Sequence, residues 1–271
     1  MFKRSVDITR IKKQEVEKTN DVVLIESPID IIVNSEPLVN IICLPKDLKE
    51  LAVGFLFSIG IITNIQEIDQ IQVDELENKV FITLAEDIPF NIQNLTIDPV
   101  SRVVDTTCGI SSSWRNAIKN ALKDVKADLT QMKDKQVKSE LIRKAIIEMQ
   151  KETVLFRETG GCHGAAIFDF EGNLISVKED IGRHNAIDKV IGDLIIQNKS
   201  FDDIFLTSTG RLTGDSVLKA IRAKIPILAS LSAAIESGIR LAFAYGITLI
   251  GFVRGSRMNI YTHPERIIVK E

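Results

Sequence analysis

The segment HGAAIFDFEGNLISVKEDIGRHNAIDKVIGDLIIQ, residues 163–197, contains two apolar stretches, a turn and a helical pattern, in that order. HGAAIFDF and LISVKED are rich in apolar residues, and Gly172-Asn173 between them is typical of a hairpin turn. In NAIDKVIGDLIIQ the apolar residues recur at helical spacing. The segment therefore predicts a β-hairpin followed by a helix.

The same alternation continues to the C-terminus. Strands are predicted at DIFLTST, IPILASL, TLIGFVRG and MNIYT, and the intervening helices at DSVLKAIRAK and AAIESGIRLAFAYG. Strands and helices that alternate this regularly predict a mostly parallel sheet covered on both faces. The hairpin at residues 163–180 makes the sheet mixed, so the predicted fold class is α/β.

The first half of the chain predicts a smaller α+β scaffold. Strands are predicted at residues 21–26, 28–44, 79–86 and 90–97, with a turn at residues 34–37, and helices at residues 48–59, from 114 and at 137–149. Cys43 lies in an apolar run and is interpreted as a core residue. The polar segment 123–135 predicts a boundary, which gives a smaller N-terminal domain at residues 1–130 and a larger domain at residues 131–271.

Composition narrows the function classes. The chain has 271 residues, of which 45% are hydrophobic and 26% charged, as in globular proteins. A net charge of -3 argues against general nucleic-acid binding. The N-terminus has no apolar signal core and no apolar run is long enough to cross a bilayer, so no membrane association is expected. Three cysteines without a secretion signal indicate a reducing compartment, and we expect the cytoplasm.

One cysteine lies in a segment with few large apolar residues. DTTCGISSSWRN, residues 105–116, places Cys108 among threonine, glycine and serine, which favour exposed loops. A helix is predicted from Trp114, with Ser112 or Ser113 as its N-cap. A helix N-terminus with Arg102 and Arg115 nearby in sequence favours the thiolate, the nucleophilic form of cysteine. The alternative is a tolerated surface cysteine.

Four polar clusters fall at predicted strand ends, where sheets of this type bind ligands. They are RETGGCHG at 157–164, KEDIGRHNA at 178–186, TSTGRLTGDS at 207–216 and RGSRMN at 254–259. Each combines glycine, which lets a backbone approach a ligand, with a cation or hydroxyl, and this composition suits a phosphate. None matches a P-loop or a GxGxxG motif. Together the clusters predict a crevice for an anionic ligand.

Cys162, His163 and His184 raise the question of a zinc site. A zinc-dependent deaminase needs a second ligand pair in the pattern Pro-Cys-x-x-Cys, and the sequence has none. Adjacent residues such as Cys162 and His163 also rarely bind one metal ion together, so we predict no metal site. The alternatives for the histidines are a structural hydrogen bond in a loop or, since Arg183 precedes His184 at a helix start, contact with a phosphate or a base.

These segments resemble the FdhD family of formate dehydrogenase accessory sulfurtransferases. The matching stretches are LKELAVGFLFSIGII, ETGGCHGAAIFD, KEDIGRHNAIDKVIG, TSTGRLTGDSVLKA and LIGFVRGSRMNIYTHPERI, between about residue 27 and the C-terminus. The resemblance implies a cytidine-deaminase-like three-layer α/β/α domain without the zinc site, often dimeric. It also implies binding of the molybdenum or tungsten bis-molybdopterin guanine dinucleotide cofactor as a client. The implied partners are a cysteine desulfurase, which supplies sulfur, and formate dehydrogenase, which receives the cofactor.

The resemblance assigns Cys108 to the first position of the Cys-Gly-x-Cys loop of the family, where sulfur is carried as a persulfide. Ser111 replaces the second cysteine, so no disulfide can form within the loop. Attack on a donor persulfide needs only one thiolate, so a one-cysteine carrier is chemically sound. The alternative is a non-catalytic chaperone that only binds the cofactor, and a deaminase-type hydrolase is a more distant rival.

The candidate residues follow from residue type and loop position. Cys108 is the candidate catalytic residue, and the candidates for the crevice are Gly161, His163, Arg183, His184, Thr209, Gly210, Arg211, Arg254, Gly255 and Arg257. Arg254 and Arg257 have a second interpretation, a solvated hairpin tip. Phe55 and Phe57 give the helix at 48–59 more apolar surface than one packed face needs, which predicts that part of it covers the second subunit of a homodimer.

Overall fold

The computed structural model describes residues 2–92, 103–104, 112–120, 122, 129 and 135–269. Within these residues the α-helices are α1 Leu48–Ile59, α2 Ser112–Asn120, α3 Ser139–Glu152, α4 Val154–Thr159, α5 Arg183–Ile196, α6 Gly214–Arg222 and α7 Glu236–Tyr245. Every helix predicted from the sequence is present. Only the short helix α4 has no counterpart in the prediction.

The described residues also form short and long strands in several sheets. The strands are β1 Lys3–Lys12, β2 Glu15–Leu24, β3 Ser27–Val33, β4 Glu36–Cys43, β5 Ile68–Asp74, β6 Lys79–Leu84, β7 Val103–Val104, β8 Val137–Lys138, β9 His163–Asp169, β10 Leu174–Asp180, β11 Ile204–Ser208, β12 Ile227–Ser230, β13 Thr248–Arg254, β14 Arg257–Thr262 and β15 Ile267–Ile268. The sheet orders are β1-β2, β5-β6-β3-β4-β7, β15-β8 and β10-β9-β11-β12-β13-β14.

The six-stranded sheet is mixed, as predicted, but it is not mostly parallel. Only the β11–β12 and β12–β13 pairs are parallel, and the pairs β10–β9, β9–β11 and β13–β14 are antiparallel. Fewer pairs are parallel than predicted because β9 lies between β10 and β11, and because β13 and β14 form a second hairpin, whose strands must run antiparallel. Helix α5 connects β10 to β11, which run in the same direction with β9 inserted between them.

Alternate residues of this sheet enter two different cores, because successive side chains of a strand point to opposite faces. Ile167 and Leu206 belong to the core that contains α1, α5 and α6. Phe168 and Phe205 belong to the core on the other face, which contains α3, and their rings stack with centroids 5.5 Å apart. Both faces are therefore covered, as the sequence predicted.

The five-stranded sheet belongs to the predicted N-terminal scaffold. The turn predicted at 34–37 is present, since Asn34 and Ser35 connect β3 to β4 with φ values of 47° and 68°. The strand at 79–86 is present as β6, but its antiparallel neighbour is β5 at Ile68–Asp74. Residues 90–92 are not in a strand, and the rest of the strand predicted at 90–97 lies outside the described residues.

Helices α1 and α5 join the two halves of the chain. A Cβ atom on Gly54 would lie 1.9 Å from the carbonyl oxygen of Asp188, and one on Gly192 would lie 1.9 Å from that of Glu50. The two backbones are therefore in direct contact at both glycines. One apolar core includes α1 and α5. The division into domains at residues 1–130 and 131–271 stays a prediction.

The apolar surface of α1 is covered by the chain itself. The ring of Phe55 meets the edge of Trp114 at a centroid distance of 5.1 Å, and the ring of Phe57 stacks on Phe201 at 5.8 Å. Both phenylalanines are buried. The prediction that this surface covers a second subunit was therefore wrong, because residues distant in sequence supply the cover.

Only the end of the β1–β2 hairpin was predicted from the sequence, since the strand expected at residues 21–26 overlaps β2 and nothing was predicted for β1. Its strands pair over their whole length, yet the side chains of Ile11 and Val16 near its tip are 70% and 69% exposed. Without a buried face the strands lack the alternation on which a strand prediction depends. The base of the hairpin is fixed, because Phe2 and Leu24 pack in a small apolar cluster with Cys162.

Candidate functional site

The polar clusters predicted from the sequence lie along one edge of the six-stranded sheet. β10, β11, β12 and β13 end at this edge, and β9, which runs in the opposite direction, begins there with His163. Helices α5 and α6 begin at the same edge, with Arg183 and Gly214 as their first residues. We call this edge the crevice edge. It has the strand ends and helix starts at which sheets of this kind bind anions.

His163 and Thr209 lie at the centre of the crevice edge. The Nδ1 atom of His163 is 3.2 Å from Oγ1 of Thr209, which also accepts a hydrogen bond of 3.0 Å from the backbone N–H of Gly164. The backbone N–H of Thr209 donates to the carbonyl of Gly164 at 2.9 Å. Burial and the charges of Arg183 and Arg211 lower the pKa of His163, which favours the neutral ring.

The loop after β11 is held by two hydroxyl groups, one from the last residue of β12 and one from the loop that follows it. Ser230 donates through Oγ to the carbonyl of Gly210 at 2.6 Å, and Ser232 donates to the carbonyl of Thr209 at 2.8 Å. Gly210 also lies directly under Arg183, because a Cβ atom there would be 2.8 Å from the Cβ of Arg183. Any larger residue at 210 would displace the arginine. The fold thus fixes the backbone at the position where a ligand would approach it.

Asp180 shapes the start of α5. It ends β10 and accepts hydrogen bonds from the backbone N–H of Gly182 at 2.7 Å and from the side-chain amide of Asn185 at 3.0 Å. It also accepts from the backbone N–H of Leu44 at 3.1 Å and pairs with Lys189 at 2.6 Å. The turn that presents Arg183 and His184 is therefore held on several sides.

His184 is a buried polar side chain with open hydrogen-bonding capacity. Its relative exposure is 7%, and neither ring nitrogen has a hydrogen-bond partner in the described protein. Burial, followed by the positive charges of Arg183 and Lys219, lowers the pKa of His184 to about 3. The ring is neutral at physiological pH, with one donor and one acceptor nitrogen. Since buried polar groups are nearly always paired, these atoms fit a site that receives a polar ligand.

Arg115 forms an ion pair with a carboxylate of α6, and its predicted effect on the thiol of Cys108, which lies outside the described residues, stays a prediction. Its Nε donates to Oδ1 of Asp215 at 2.7 Å and its Nη2 donates to Oδ2 at 3.2 Å. Asp215 lies in the first turn of α6, and the hydrogen bond from Arg115 and nearby positive charges lower the pKa of its carboxyl, although burial acts in the opposite direction. The Arg115 charge is therefore matched by a carboxylate. Arg102, also predicted to favour the thiolate, lies outside the described residues.

The remaining candidates lie at the margins of the crevice edge. Arg254 and Arg257 are exposed, and their guanidinium groups lie 5.9 and 5.4 Å from the centroid of the Phe252 ring. Gly255 forms the turn between β13 and β14 with φ of 56° and has no atom within 4 Å of an added Cβ. Gly161 faces Thr159 and the side chain of Leu24. No hydrogen bond or ring contact of the described residues joins these residues to His163 or His184.

The three cysteines fall into two groups. Cys108 and Ser111 lie outside the described residues. Cys43 is fully buried, as predicted, and burial together with the Asp180 charge raises its pKa. Burial and the Glu179 carboxylate raise the pKa of Cys162 to about 12, and its thiol lies 3.7 Å from Glu179. Neither described cysteine is a thiolate at neutral pH. In the described ranges no group of three or more His, Cys, Asp or Glu residues could hold a metal ion.

A cavity of about 380 Å³ lies at the opposite end of the same sheet. Its lining includes Phe57, Phe201 and Arg222. The guanidinium of Arg222 already donates to the carbonyls of Phe57 and Ile62, at 3.1 and 3.3 Å. We therefore assign the candidate site to the crevice edge, where His184 has open hydrogen-bonding capacity.

A family model decides how this site is to be interpreted. The model of the FdhD/NarQ family matches residues 24–268, which include Cys108 and the whole crevice edge. The chain belongs to the FdhD/NarQ family. The resemblance stated from the sequence motifs is thereby confirmed, and only the N-terminal hairpin lies largely outside the match.

Curated relatives extend over nearly the whole chain. The sulfur carrier protein FdhD of Saccharolobus solfataricus is 36% identical over 266 residues, which cover 96% of each chain. The protein of the same name from Bacillus subtilis is 33% identical with 96% of each chain covered. That of Thermoplasma acidophilum is 40% identical over 225 residues, which cover 81% of this chain and 76% of the relative.

A solved structure gives the same family assignment. The crystal structure of a formate dehydrogenase accessory protein from Desulfotalea psychrophila matches with a TM-score of 0.75 and 28% identity, covering 99% of this chain and 100% of that one.

Within the residues described for this FdhD/NarQ family member, no helix is long and apolar enough to cross a membrane.

Sequence analysis missed the buried charges behind the crevice edge. Lys189 pairs with Asp180 and Lys219 pairs with Asp188, each at 2.6 Å, and all four side chains are buried. A signal was present, because Asp188 lies on the same helical face as Ile187 and Ile191. A charge within an apolar stripe predicts a buried partner, but the sequence does not say which residue that partner is.

Proposed function

We propose that this FdhD/NarQ family member carries sulfur on Cys108 and delivers it to a guanine-dinucleotide form of the molybdenum or tungsten cofactor bound at the crevice edge. A cysteine desulfurase supplies the sulfur and formate dehydrogenase receives the cofactor. The observation that carries the proposal is His184, whose unpaired ring nitrogens lie at an edge occupied by Arg183 and Arg211. The names of the relatives, sulfur carrier proteins, support the same role.

The chemistry of the crevice edge suits a nucleotide. The guanidinium groups of Arg183 and Arg211 attract phosphate, and the first backbone N–H groups of α5 and α6 add positive partial charge at the same edge. Gly210 permits close approach to the backbone. The neutral ring of His184 donates one hydrogen bond and accepts another, as recognition of a base or a ribose requires.

The proposed loading step needs one thiolate. The Cys108 thiolate attacks the outer sulfur of the persulfide on the desulfurase, the donor S–S bond breaks, and the desulfurase cysteine leaves as a thiolate. A new S–S bond forms on Cys108, so no electrons are gained or lost. Delivery of the outer sulfur as sulfide breaks the S–S bond on Cys108 and consumes two electrons, which we assign to two molecules of an external thiol that become one disulfide, while Cys108 returns to its thiolate.

Ser111 is the observation that favours a second function. Without a second loop cysteine the chain cannot pass sulfur between two thiols. The second candidate is therefore a chaperone that binds the cofactor at the same edge and carries no sulfur. Both candidates require nucleotide binding, and only the first requires a persulfide.

Mass spectrometry after incubation with a desulfurase and free cysteine separates the two candidates. We expect a persulfide on Cys108 in the wild type, none in Cys108→Ser, and an unchanged label in Cys162→Ser, since the thiol of Cys162 has a pKa of about 12. A persulfide on Cys162, or on no residue, would contradict the carrier function. Nucleotide binding without any label would identify the chaperone.

The proposal includes three further features, of which the resemblance implies the first two and the cysteine content indicates the third. The larger sheet with its helices is a cytidine-deaminase-like α/β/α domain, the functional form is a homodimer, and the protein works in the cytoplasm, where the desulfurase and the reducing thiol are found. Light scattering on the purified chain tests the second feature, and a monomer at micromolar concentration would contradict it.

A further inference from the structure

A cavity of about 310 Å³ lies on the face of the six-stranded sheet that α3 covers. Its apolar lining includes Ile146 of α3 and Val253 of β13, which belong to the core of that face. Phe156 of α4 and Leu231, the residue after β12, also line it. We call it the α3 cavity. Helix α5, which carries His184, packs on the opposite face of the sheet, so the α3 cavity is separate from the proposed nucleotide site.

Helix α3 contributes one face to this cavity. Arg143, Ile146, Ile147 and Gln150 line it, and their spacing of i, i+3, i+4 and i+7 places them on one side of the helix. Ile146 is buried, whereas Ile147 is 49% exposed. The helix therefore presents a cation, an amide and apolar surface to the same space, and part of that apolar surface is left uncovered.

Two arginines line the α3 cavity without a carboxylate partner. Arg254 donates through Nε to the carbonyl of Leu231 at 3.0 Å, and no described group takes up its two terminal nitrogens. Arg143 is half-buried and has no hydrogen bond or ion pair within the described residues. The described lining contains no aspartate or glutamate. The cavity therefore holds two positive charges that the fold does not match, and guanidinium groups bind anionic oxygens strongly.

The larger cavity at the opposite end of the sheet differs in this respect. Its Arg222 already donates to two backbone carbonyls, and its Lys135 forms an ion pair with Asp203. Asp202 and Asp203 both belong to its lining. Its positive charges are thus taken up by the chain itself. Of the two cavities, the α3 cavity is the one whose charge calls for an anion.

We propose that the α3 cavity is a binding site for a small phosphate monoester with an apolar body. A phosphate monoester carries a charge of about -1.5 to -2 at neutral pH and can match both guanidinium groups, whereas a carboxylate matches only one. The apolar lining accommodates the body of the ligand, and the amide of Gln150 can pair with a polar group on it. The volume of about 310 Å³ suits a small molecule, since ligand pockets begin at about 300 Å³.

Calorimetry on the full chain tests the site with phenyl phosphate as the probe. We expect phenyl phosphate to bind about tenfold more tightly than inorganic phosphate, because the ring buries apolar surface. Arg143→Ala should weaken binding of phenyl phosphate by about tenfold, because it removes charge-assisted hydrogen bonds. Arg143→Lys, which keeps the charge but loses the fork of donors, should fall between the two. Lys151→Ala is the matched control: it removes an exposed cation from α3 that does not line the cavity, and binding should change by less than about twofold.

A second variant tests the apolar part of the site. Ile147→Ser removes apolar surface at the cavity and should weaken binding of phenyl phosphate by about threefold, but it should leave binding of inorganic phosphate unchanged. Because Ile147 is 49% exposed, the variant should unfold at the same denaturant concentration as the wild type. Equal losses for the two probes would show that the apolar lining does not contact the ligand.

A variant of the crevice edge separates this site from the proposed function. His184→Gln should bind phenyl phosphate as the wild type does, because His184 does not line the α3 cavity. If His184→Gln weakens binding and Arg143→Ala does not, phenyl phosphate binds at the crevice edge and the α3 site is wrong. No binding at millimolar phenyl phosphate, or binding no tighter than that of inorganic phosphate, would also overturn it. Failure of Cys108 to take up sulfur would contradict the proposed function alone.

Discussion

Two successive turns of helix α5 differ in whether their buried polar side chains have hydrogen-bond partners. At the crevice edge, His184 has two buried ring nitrogens without a partner in the described protein. One turn later, Asp188 accepts hydrogen bonds from Lys219 at 2.6 Å and from Ser58 at 2.7 Å. The next residue, Lys189, pairs with Asp180 and donates to the carbonyl of Leu44. Complete pairing indicates a role in the fold, and incomplete pairing indicates a place for a ligand.

The contrast extends to the backbone. Behind the crevice edge, α1 and α5 touch at Gly54 and Gly192, so neither position has room for a side chain. At the crevice edge, Gly210 supports a single side chain, that of Arg183. The region where α1, α5 and α6 pack, which we call the packed layer, is therefore closely packed and shares one apolar core. It holds the crevice edge in place without contributing a contact surface of its own.

The largest effect is expected from Gly192→Ala. Its Cβ would lie 1.9 Å from the carbonyl oxygen of Glu50, which belongs to the backbone and cannot rotate away. We expect the free energy of unfolding to fall by about 4 kcal/mol or more, measured by chemical denaturation. Gly161→Ala is the control, since its nearest atom would be 3.4 Å away. Equal stability of the two variants would show that α1 and α5 are not in backbone contact.

The Lys219–Asp188 pair gives the next largest effect. Lys219→Met leaves the Asp188 carboxylate buried without its cation, and we expect a loss of about 3–5 kcal/mol in the free energy of unfolding. The double variant Asp188→Leu/Lys219→Met removes both charges and should recover most of that loss. If the double variant loses as much free energy of unfolding as the two single variants added together, Lys219 and Asp188 do not stabilise each other.

For both the packed layer and the crevice edge, the sequence predicts the elements but not the contacts between them. Helical spacing locates α1, α5 and α6, and the glycine-rich clusters locate the strand ends, because both are local patterns. The partners of Asp188 and Arg115 are not predictable, since each ion pair joins residues that are distant in the sequence and that only the sheet order brings together. The place of β9 between β10 and β11 is missed for the same reason: the order of strands in a sheet is not a local property.

The pH dependence of stability should separate the crevice edge from the packed layer. The pKa of His184 is about 3 in the folded chain and about 6.5 in the unfolded chain. The unfolded state therefore binds more protons as the pH falls below about 6.5, and the folded state loses stability, by about 2 kcal/mol at about pH 5. His184→Gln removes the titrating group, so its stability should vary less over this range.

Chemical denaturation of wild type and His184→Gln at several pH values checks this prediction. The carboxylates titrate in both proteins, so only the difference between the two profiles reports on His184. His163, whose pKa is also lowered, contributes in the same direction to both. Identical profiles would mean that His184 is protonated as readily in the folded chain as in the unfolded one, and it would then not be the neutral group that the proposed site requires.

The smallest effect is expected at the exposed margin of the crevice edge, and calorimetry with guanosine diphosphate measures it. Arg211 is exposed and follows Gly210 directly, so Arg211→Ala should weaken binding by about fivefold, or about 1 kcal/mol, as for a solvated ion pair. Lys138→Ala removes an equally exposed cation from β8 and should change binding by less than about twofold. Since solvated charges are screened by salt, the difference between wild type and Arg211→Ala should shrink as ionic strength rises. Neither variant should alter the free energy of unfolding, because neither touches the packed layer. Equal weakening by both variants would mean that binding depends on positive charge anywhere on the surface. Arg211 would then have no specific role in the site.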